Sequence, residues 1–493
     1  MKLRIKKLNF LTGKPVCMIH EKTAKKMSLH VGDRVSIKNK KKNIISVIDT
    51  ISKIITPREI AVSRDIIQYL NLKNKEIVNI NITKSPRSIS LIKKKLSGQT
   101  LKKHEIKEII ENIANNSLTE VEIAFFVSAV YIQEMSLTET KYLTQAMIDT
   151  GKKLKLSGKV VDKHSIGGIA GNRTTPIVVS ICAAAGLKIP KTSSRAITSA
   201  AGTVDVIETI AKVDFSLNEI KKIIKKTNAC LVWGGALGLA PVDDKIIKIE
   251  RIVSIDSTTQ VLASILSKKI SVGSKYILID IPYGKSAKVS KLQAKKLKLK
   301  FIKLAKQFNL KLEVVLTDGT EPIGNGIGPV LEIKDILKVL TRTDSPKDLE
   351  EKSVFLAGEL LELAGKVKKG KGIEKAKEIL DSKKAFEKFK QIIKEQQGDI
   401  NKLNKFKEQI FPHVIKAKRK IKIKHINNKL INLLARYAGC PEDKLAGIYL
   451  HKKKNQIAEK SDKILTIYAV SKEKLNHAVY FYNKNKEKVV EFW

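Results

Sequence analysis

The chain has 493 residues, more than one hydrophobic core organises, and its 43% hydrophobic, 5% aromatic composition describes an aliphatic-cored protein of roughly three domains with no apolar run long enough to span a membrane. The net charge of +46 argues against a reader of nucleic-acid sequence: 84 of the 95 basic residues are Lys, only 11 are Arg, and they are spread over the whole length without an Arg-rich stripe. A general positive field of this kind still draws in phosphorylated small molecules.

In chain order, residues 1–12 alternate like a strand and lack the long apolar core of a signal peptide, so a cytoplasmic location is expected. Residues 1–84 hold short alternating runs at Leu3–Leu8, Arg34–Lys38, Ile44–Ile51, Glu59–Ala61 and Ile77–Ile82. These runs predict a small β-barrel-like domain closing at the linker Lys84-Ser85-Pro86. Residues 88–156 read as helices. Ser117-x-x-Glu120 and Ser136-x-x-Glu139 match the capping box, in which hydroxyl and carboxylate satisfy free N–H groups at a helix start. Val121, Ala124, Phe125 and Ser128 then recur at helical spacing.

From Lys159 strands and helices alternate. Val160-Val161 enters a turn, Ile177–Ala185 makes the helix behind it, and Lys188-Ile189-Pro190 is a short strand. Ser216-x-x-Glu219 caps another helix, Tyr276–Ile281 is a buried strand, and Leu312–Thr317 runs into Asp318-Gly319-Thr320-Glu321-Pro322 and a glycine-rich stretch. Strands separated by helices imply an α/β sheet. Residues 366–411 are Lys-rich helix and loop, and the tail mixes a helix (Asn428–Ala438) with strands such as Ile464–Val470. No internal repeat stands out. The four cysteines, Cys17, Cys182, Cys230 and Cys440, are scattered without a C-x-x-C pair, as expected of buried thiols.

The chemistry concentrates in Asp162–Glu208. Lys163-His164-Ser165-Ile166-Gly167-Gly168 follows a strand and precedes a helix. Glycines let backbone N–H groups approach an oxyanion, the helix dipole favours it, and Lys163 and Ser165 add a charge and a donor. A second turn, Thr192 to Thr203, gathers six hydroxyls and Arg195. It suits a phosphoryl group and a sugar, the alternative being an N-cap cluster with a solvent-facing Arg.

Together with Ile252–Ser274, Tyr276–Val289, Arg436-Tyr437-Ala438-Gly439-Cys440-Pro441 and Ala446-Gly447-Ile448, these stretches resemble the type II nucleoside phosphorylase family, which includes the thymidine and pyrimidine nucleoside phosphorylases. The N-terminal extension, absent from the bacterial nucleoside enzymes, is similar to the archaeal branch that acts on nucleoside 5′-monophosphates. The resemblance implies a multi-domain α/β fold in which a helical domain and a mixed α/β-sheet domain flank the site. The implied divisions are 1–86 (N-terminal β-barrel-like oligomerisation domain), 87–157 with 240–271 (helical domain), 158–239 with 272–412 (α/β phosphate- and nucleotide-binding domain) and 413–493 (C-terminal α+β domain). It further implies pentosyl transfer: inorganic phosphate as co-substrate attacks C1′ of AMP, with CMP and UMP as further candidates, giving the base and ribose 1,5-bisphosphate.

Residue by residue, the resemblance assigns Lys163, Ser165, Ser193 and Thr203 to the attacking phosphate, with a further hydroxyl at Thr174 or Thr175, of which Thr175 is preferred. Gly168, Ser194, Arg195, Ala196, Ile197, Thr198, Ser199, Thr203, Ser264 and Lys288 are implied to bind the nucleotide. His164 and Lys268 are implied base contacts. Asp256 is the implied proton donor, with a pKa expected to be raised by burial. Ile249 stands where the pyrimidine enzymes carry a base-reading Arg, which allows a purine. Gly324-x-Gly326-x-Gly328 reads either as a mobile flap or as a plain glycine-rich turn. No metal or cofactor is expected, nor a nucleic-acid or membrane partner. A homodimer through the helical domain is expected, joined into larger assemblies by the N-terminal module. Three readings stay open beside this one: a uridine or thymidine phosphorylase, a phosphoribosyltransferase using a pyrophosphorylated sugar with magnesium, and a nucleic-acid-binding protein.

Overall fold

In the first 83 residues apolar side chains alternate with Lys, Asn and Ser, and in the computed structural model this alternation closes into a six-stranded barrel. The structure describes residues 1–8, 15–40, 42–83, 85–196, 199–253, 255, 257–406 and 409–493, with 236 and 405 by backbone alone. Strands β1 (Lys2–Lys7), β2 (Val16–His20), β3 (Arg34–Asn39), β4 (Lys42–Ile51), β5 (Glu59–Val62) and β6 (Ile77–Ile82) stand in the order β1-β5-β2-β4-β3-β6. Helices α1 (Glu21–Lys26) and α2 (Arg64–Leu70) follow β2 and β5. Inward residues Leu3, Ile5, Ile19, Val35, Ile37, Ile60 and Ile80 are buried at the two-residue period of a strand. Strand β2 escapes a sequence reading because Val-Cys-Met-Ile-His mixes strong and weak strand formers, yet Cys17 and Ile19 point inward like the rest.

The barrel also contains a repeat that the sequence hides. The course β1-β2-α1-β3 is run again as β4-β5-α2-β6. Strand β1 pairs in parallel with β5 as β4 does with β2, and β3–β4 is antiparallel as β6–β1 is. What recurs is alternation and turn position, not residue identity, so no sequence period shows it.

Four helices follow: α3 (Ser88–Leu96), α4 (Lys103–Ala114), α5 (Glu120–Gln133) and α6 (Leu137–Asp149). The Ser136–Glu139 box forms as spaced, the Ser136 N–H donating to Glu139 at 2.9 Å and the Glu139 N–H to Ser136 Oγ at 3.1 Å. The Ser117–Glu120 box does not. Helix α5 starts two residues later on Thr119 and Glu122, while the Ser117 hydroxyl donates to Asn115. That register puts Leu118 and Ile123 in one core cluster on either side of the cap, the arrangement of a hydrophobic staple. It also turns the Val121/Phe125 stripe outward, at 66% and 55% exposure, and buries Phe126, Val127 and Val130 instead.

A second compact unit comprises Lys152–Leu239 and Ile265–Trp493, while Ala240–Ser264 belongs with Met1–Gly151. The second unit opens with β7 (Val161–Ser165), α7 (Thr174–Ala184), β8 (Ile189–Ser193), α8 (Thr203–Ile207), α9 (Leu217–Thr227) and β9 (Ala229–Trp233). Then α10 (Pro241–Val253) sends Val242, Ile246 and Ile249 into the core of the helical bundle, and α11 (Thr258–Ser271) follows. The chain continues through β10 (Tyr276–Tyr283), α12 (Lys291–Lys306), β11 (Lys311–Asp318), β12 (Gly326–Ile327), α13 (Pro329–Thr341), α14 (Lys347–Leu363), α15 (Gly372–Asp381) and α16 (Lys384–Glu395).

Strands β11, β10 and β7 form a parallel sheet, and the parallel pair β8–β9 adjoins it through a bridge between Val160 and Lys188. Ile277, Leu278, Ile279 and Ile281 of β10 are wholly buried, as a parallel sheet with covered faces requires. Strands β7 and β8 run further than expected, so Lys163, His164, Ser165, Thr192 and Ser193 lie on strands and the turns begin at Ile166 and Ser194.

The tail adds β13 (Phe411–Lys416), β14 (Ile421–Ile426), α17 (Asn428–Tyr437), β15 (Gly447–Leu450), β16 (Ile457–Ala458), β17 (Lys463–Ala469), α18 (Lys472–Val489) and β18 (Val490–Phe492). Its main sheet, β12-β15-β17-β13, takes its edge strand from the glycine-rich stretch. That stretch is pinned rather than flap-like. Asn325 and Gly326 N–H groups donate to Asp335 at 2.6 and 2.7 Å, and at Gly328 (φ +128°) a Cβ would lie 2.5 Å from the Ala446 carbonyl. Among the described residues no helix is long and apolar enough to cross a membrane.

Candidate phosphate and nucleotide site

The carboxyl ends of β7, β8, β10 and β11 carry Ser165, Ser193, Tyr283 and Asp318, and outside such ends parallel sheets bind ligands. Lys163 is 1% exposed, and its ammonium donates to Thr174 Oγ1 at 2.8 Å on the first turn of α7. Burial pulls its pKa down to about 8, against the opposing pull of Asp280. Of the two threonines left open by the sequence, Thr174 meets Lys163, and Thr175 lies buried beside it. The Ser165 hydroxyl donates to Asp280 Oδ2 at 2.9 Å, and Thr317 of β11 donates to Oδ1 at 2.6 Å. Register sets this up, since Asp280 stands opposite Ser165 in the β7–β10 pairing.

His164 is half-buried, and burial together with Lys269, Lys191, Lys163 and Lys268 depresses its pKa well below the ordinary range. A neutral imidazole offers one donor and one acceptor, so His164 suits a base edge better than an anion. Behind it Asp162 is flanked by Lys269 at 2.7 Å and Lys191 at 3.2 Å, and Lys191 also donates to the Lys163 carbonyl at 2.7 Å. Gly168 (φ +89°) runs against the Lys288 segment, where a Cβ would come 3.0 Å from the Lys288 nitrogen, and Lys288 itself is exposed.

The second turn is organised differently. The Asp205 carboxylate takes the Ala196 and Gly202 N–H groups at 2.7 and 2.8 Å. Arg195 forks onto Glu208 at 2.8 and 2.6 Å and lies over the Trp233 ring at 5.2 Å. The fork holds the Glu208 carboxyl down at about 2. Arg195 is thus engaged by acids of its own chain. Ser199 donates to the Ala201 carbonyl at 2.9 Å, Ser193 ends β8 half-buried, and Ser194 is exposed. Ile197 and Thr198 lie outside the described residues, as does Asp256. Ser264, on the first unit's part of α11, donates to Asp243 at 2.9 Å. Lys268, further along α11, is half-buried.

Arg173 joins the two turns. It donates to Glu332 at 2.5 Å, to the Ala201 carbonyl at 2.7 Å and to Thr203 Oγ1 at 3.1 Å, which leaves the Thr203 proton for an outward bond. Two asparagines one helical turn apart on α17 hold the same turns from the C-terminal part of the chain. Asn428 Oδ1 accepts from the Ala170 N–H and Asn432 Oδ1 from the Ala200 N–H, each at 3.0 Å. Asn428 also donates to Ser286 Oγ and to the Gly319 carbonyl, both at 3.1 Å. The sequence reading singled out none of Asp162, Lys191, Asp205, Asp280 and Asn428. Two of them carried a signal, Asp205 and Asp280, each a lone acid buried in an apolar run, whereas Asp162, Lys191 and Asn428 stand beside other polar residues and gave none.

Comparison with known proteins decides the family. Residues 89–151 match the helical bundle domain of a glycosyl transferase family, and residues 157–386 match its a/b domain. The AMP phosphorylase of Thermococcus sibiricus is 45% identical over 486 residues, covering 97% of this chain and 96% of that one. Those of Pyrococcus furiosus and Methanocaldococcus jannaschii are 44% and 41% identical, covering 97% and 94% of this chain and 96% and 92% of theirs. The chain belongs to the AMP phosphorylase family. The match runs nearly end to end and so takes in the sequence of the barrel and of the C-terminal part as well. Among solved structures, anthranilate phosphoribosyltransferase from Thermus thermophilus has a TM-score of 0.53 at 15% identity, covering 62% of this chain and 99% of that one, a likeness of fold.

Proposed function

We propose that this protein catalyses phosphorolysis of AMP to adenine and ribose 1,5-bisphosphate, with CMP and UMP as further substrates. The observation that carries the proposal is the Lys163 cradle: a buried ammonium, its Thr174 partner and Ser165 gathered at a strand end beside a helix N-terminus, in a chain that matches AMP phosphorylases along its length. Fixed donors replace the water shell of phosphate and aim one oxygen at C1′. The C1′–N bond breaks as the phosphate oxygen bonds C1′, the bonding pair leaves with the base, and Asp256 delivers the proton that neutralises it. Thr203, with its hydroxyl proton left outward by Arg173, is a second phosphate donor. Gly168, Lys288 and the Ser194–Ser199 segment, with Ser264, take the nucleotide. His164 and Lys268 contact the base.

The reaction needs no metal on this reading, because Lys163 and its neighbours supply the positive charge. Purified protein should release adenine from AMP only when inorganic phosphate is present, with chelator making no difference and adenosine turning over far more slowly. Equal turnover of adenosine would refute the monophosphate assignment. We also propose a homodimer through the outward face of α5, where Val121, Phe125, Tyr131 and Ile132 are each more than half exposed, with the barrel joining dimers. The four-domain division given above and a cytoplasmic location, without nucleic-acid or membrane partners, belong to the same proposal.

A further inference from the structure

Lys352 of α14 stands among the residues of the phosphate cradle with no role yet assigned to it. Its side chain is 9% exposed. Among the described residues its ammonium has one carboxylate within ion-pair distance, Asp280 Oδ2 at 3.3 Å, in a geometry that makes no well-formed hydrogen bond, and the exposed Asp318 acts on it from further off. An ammonium carries three donors, and burial makes unmet donors costly. Asp280 is poorly placed to meet them. Its Oδ2 already accepts the Ser165 hydroxyl and its Oδ1 the Thr317 hydroxyl, at 2.9 and 2.6 Å. One carboxylate oxygen is thereby shared by Lys352 and by a serine of the first turn, while Lys163 feels both Asp280 and Lys352 as neighbouring charges.

The charge balance points the same way. Around the cradle five largely buried cations, Lys163, Lys191, Lys269, Lys352 and Arg173, have three buried carboxylates as their ion-pair partners, Asp162, Asp280 and Glu332. Arg173 is matched by Glu332 and Asp162 by one of its two lysines, and the remainder is an excess of positive charge that a hydrogen phosphate dianion would neutralise. Burial depresses both Lys163 and Lys352 against the opposing pull of Asp280, and the proximity of Lys352 lowers Lys163 further.

We propose that Lys352 is a further ligand of the phosphate, held ready by Asp280 and presented together with the Ser165 hydroxyl. On entry of the anion, Ser165 and Lys352 turn donors from the shared Asp280 oxygen to phosphate, and Asp280 keeps the Thr317 hydroxyl. That this phosphate is the nucleophile rests on the phosphorolysis reading, but its binding does not.

The test is Lys352→Met in the full-length protein, followed by steady-state kinetics with AMP and phosphate and by calorimetric titration with inorganic phosphate alone. We expect the KM and the dissociation constant for phosphate to rise at least about tenfold, the loss of one charge-assisted donor, with KM for AMP within about twofold. Lys352→Arg should recover part of the phosphate affinity. Unchanged phosphate affinity, or KM values for AMP and phosphate rising in step, would overturn the proposal and leave Lys352 a structural partner of Asp280. Should Lys352→Met not fold, Lys352→Gln keeps a donor toward Asp280 and removes the charge, and the same two readings decide. If wild-type protein binds phosphate but releases no adenine, the reaction assignment falls while the titrations still decide the role of Lys352.

Discussion

The two turns of the α/β unit look alike in sequence and are unlike in structure. Both follow a short parallel strand, both precede a helix, and both gather hydroxyls and a cation. In the first, Lys163 is sunk against Thr174, and the cations around it outnumber the carboxylates. In the second, Asp205 occupies two backbone N–H groups and Glu208 occupies Arg195. On the proposed function the first turn is the place of an anion from outside. The second has already supplied its own anions and is shaped by them. Density of donors therefore does not by itself mark a site for a free anion; an excess of buried cations over carboxylates does, while the second turn is left with hydroxyls and backbone to offer a nucleotide.

Mutations should separate the two turns. The largest effects belong to the chemistry: Lys163→Met should lower kcat/KM for phosphorolysis by roughly 10²–10³, as removal of a fixed donor does. Asp256→Asn should lower kcat by about 10²–10⁴, as loss of a general acid does, with KM for phosphate little changed. Next comes the tie between the turns. Arg173→Met leaves Glu332 buried without its partner and should destabilise the fold by about 3–5 kcal/mol in denaturant titration. Asn432→Ala frees the buried Ala200 N–H and should cost about 1–3 kcal/mol, with both substrates' KM values rising.

A pH titration sharpens the contrast further. The Lys163 pKa is pulled by burial from 10.5 to about 8, so its charge is present below pH 8 and lost above it. The KM for phosphate should rise as pH climbs through about 8. Between about 8 and 10.5 the unfolded chain holds a proton that folded Lys163 has released, so this residue's contribution to stability rises with pH there, opposite in sign to the loss of phosphate affinity. The smallest effect is expected of Arg195→Lys, which trades a fork for a point charge on a half-exposed pair. It should lower stability by about 1 kcal/mol or less and leave kcat within a few-fold. A loss of rate as large as that of Lys163→Met would erase the distinction between the turns.

Much of this was legible in the sequence, and the rest fails for identifiable reasons. Period-2 alternation gave the barrel, and glycine, lysine and serine beside an apolar helix gave the first turn. Helical spacing on α5 found a real apolar stripe but not which stripe faces the core, because that helix is apolar on most sides and the cap at Thr119 sets its rotation. Asn428 lies 258 residues from the Ala170 N–H that it accepts, and no local pattern reports such a contact. Lys352 sits in a helix segment rich in Lys and Glu that reads as solvated. Only the fold turns it toward Asp280. Asp280 was the missed clue, a lone acid in the apolar run Ile277-Leu278-Ile279-Asp280-Ile281.

On the proposed function, phosphate is the nucleophile that the Lys163 cradle aims at C1′ of AMP. Incubation of the protein with AMP and ¹⁸O-labelled phosphate tests it directly. The prediction is ribose 1,5-bisphosphate whose C1′–oxygen bond carries the label, formed in step with adenine and absent when phosphate is withheld. Adenine released without phosphate, with unlabelled oxygen from water at C1′, would contradict it.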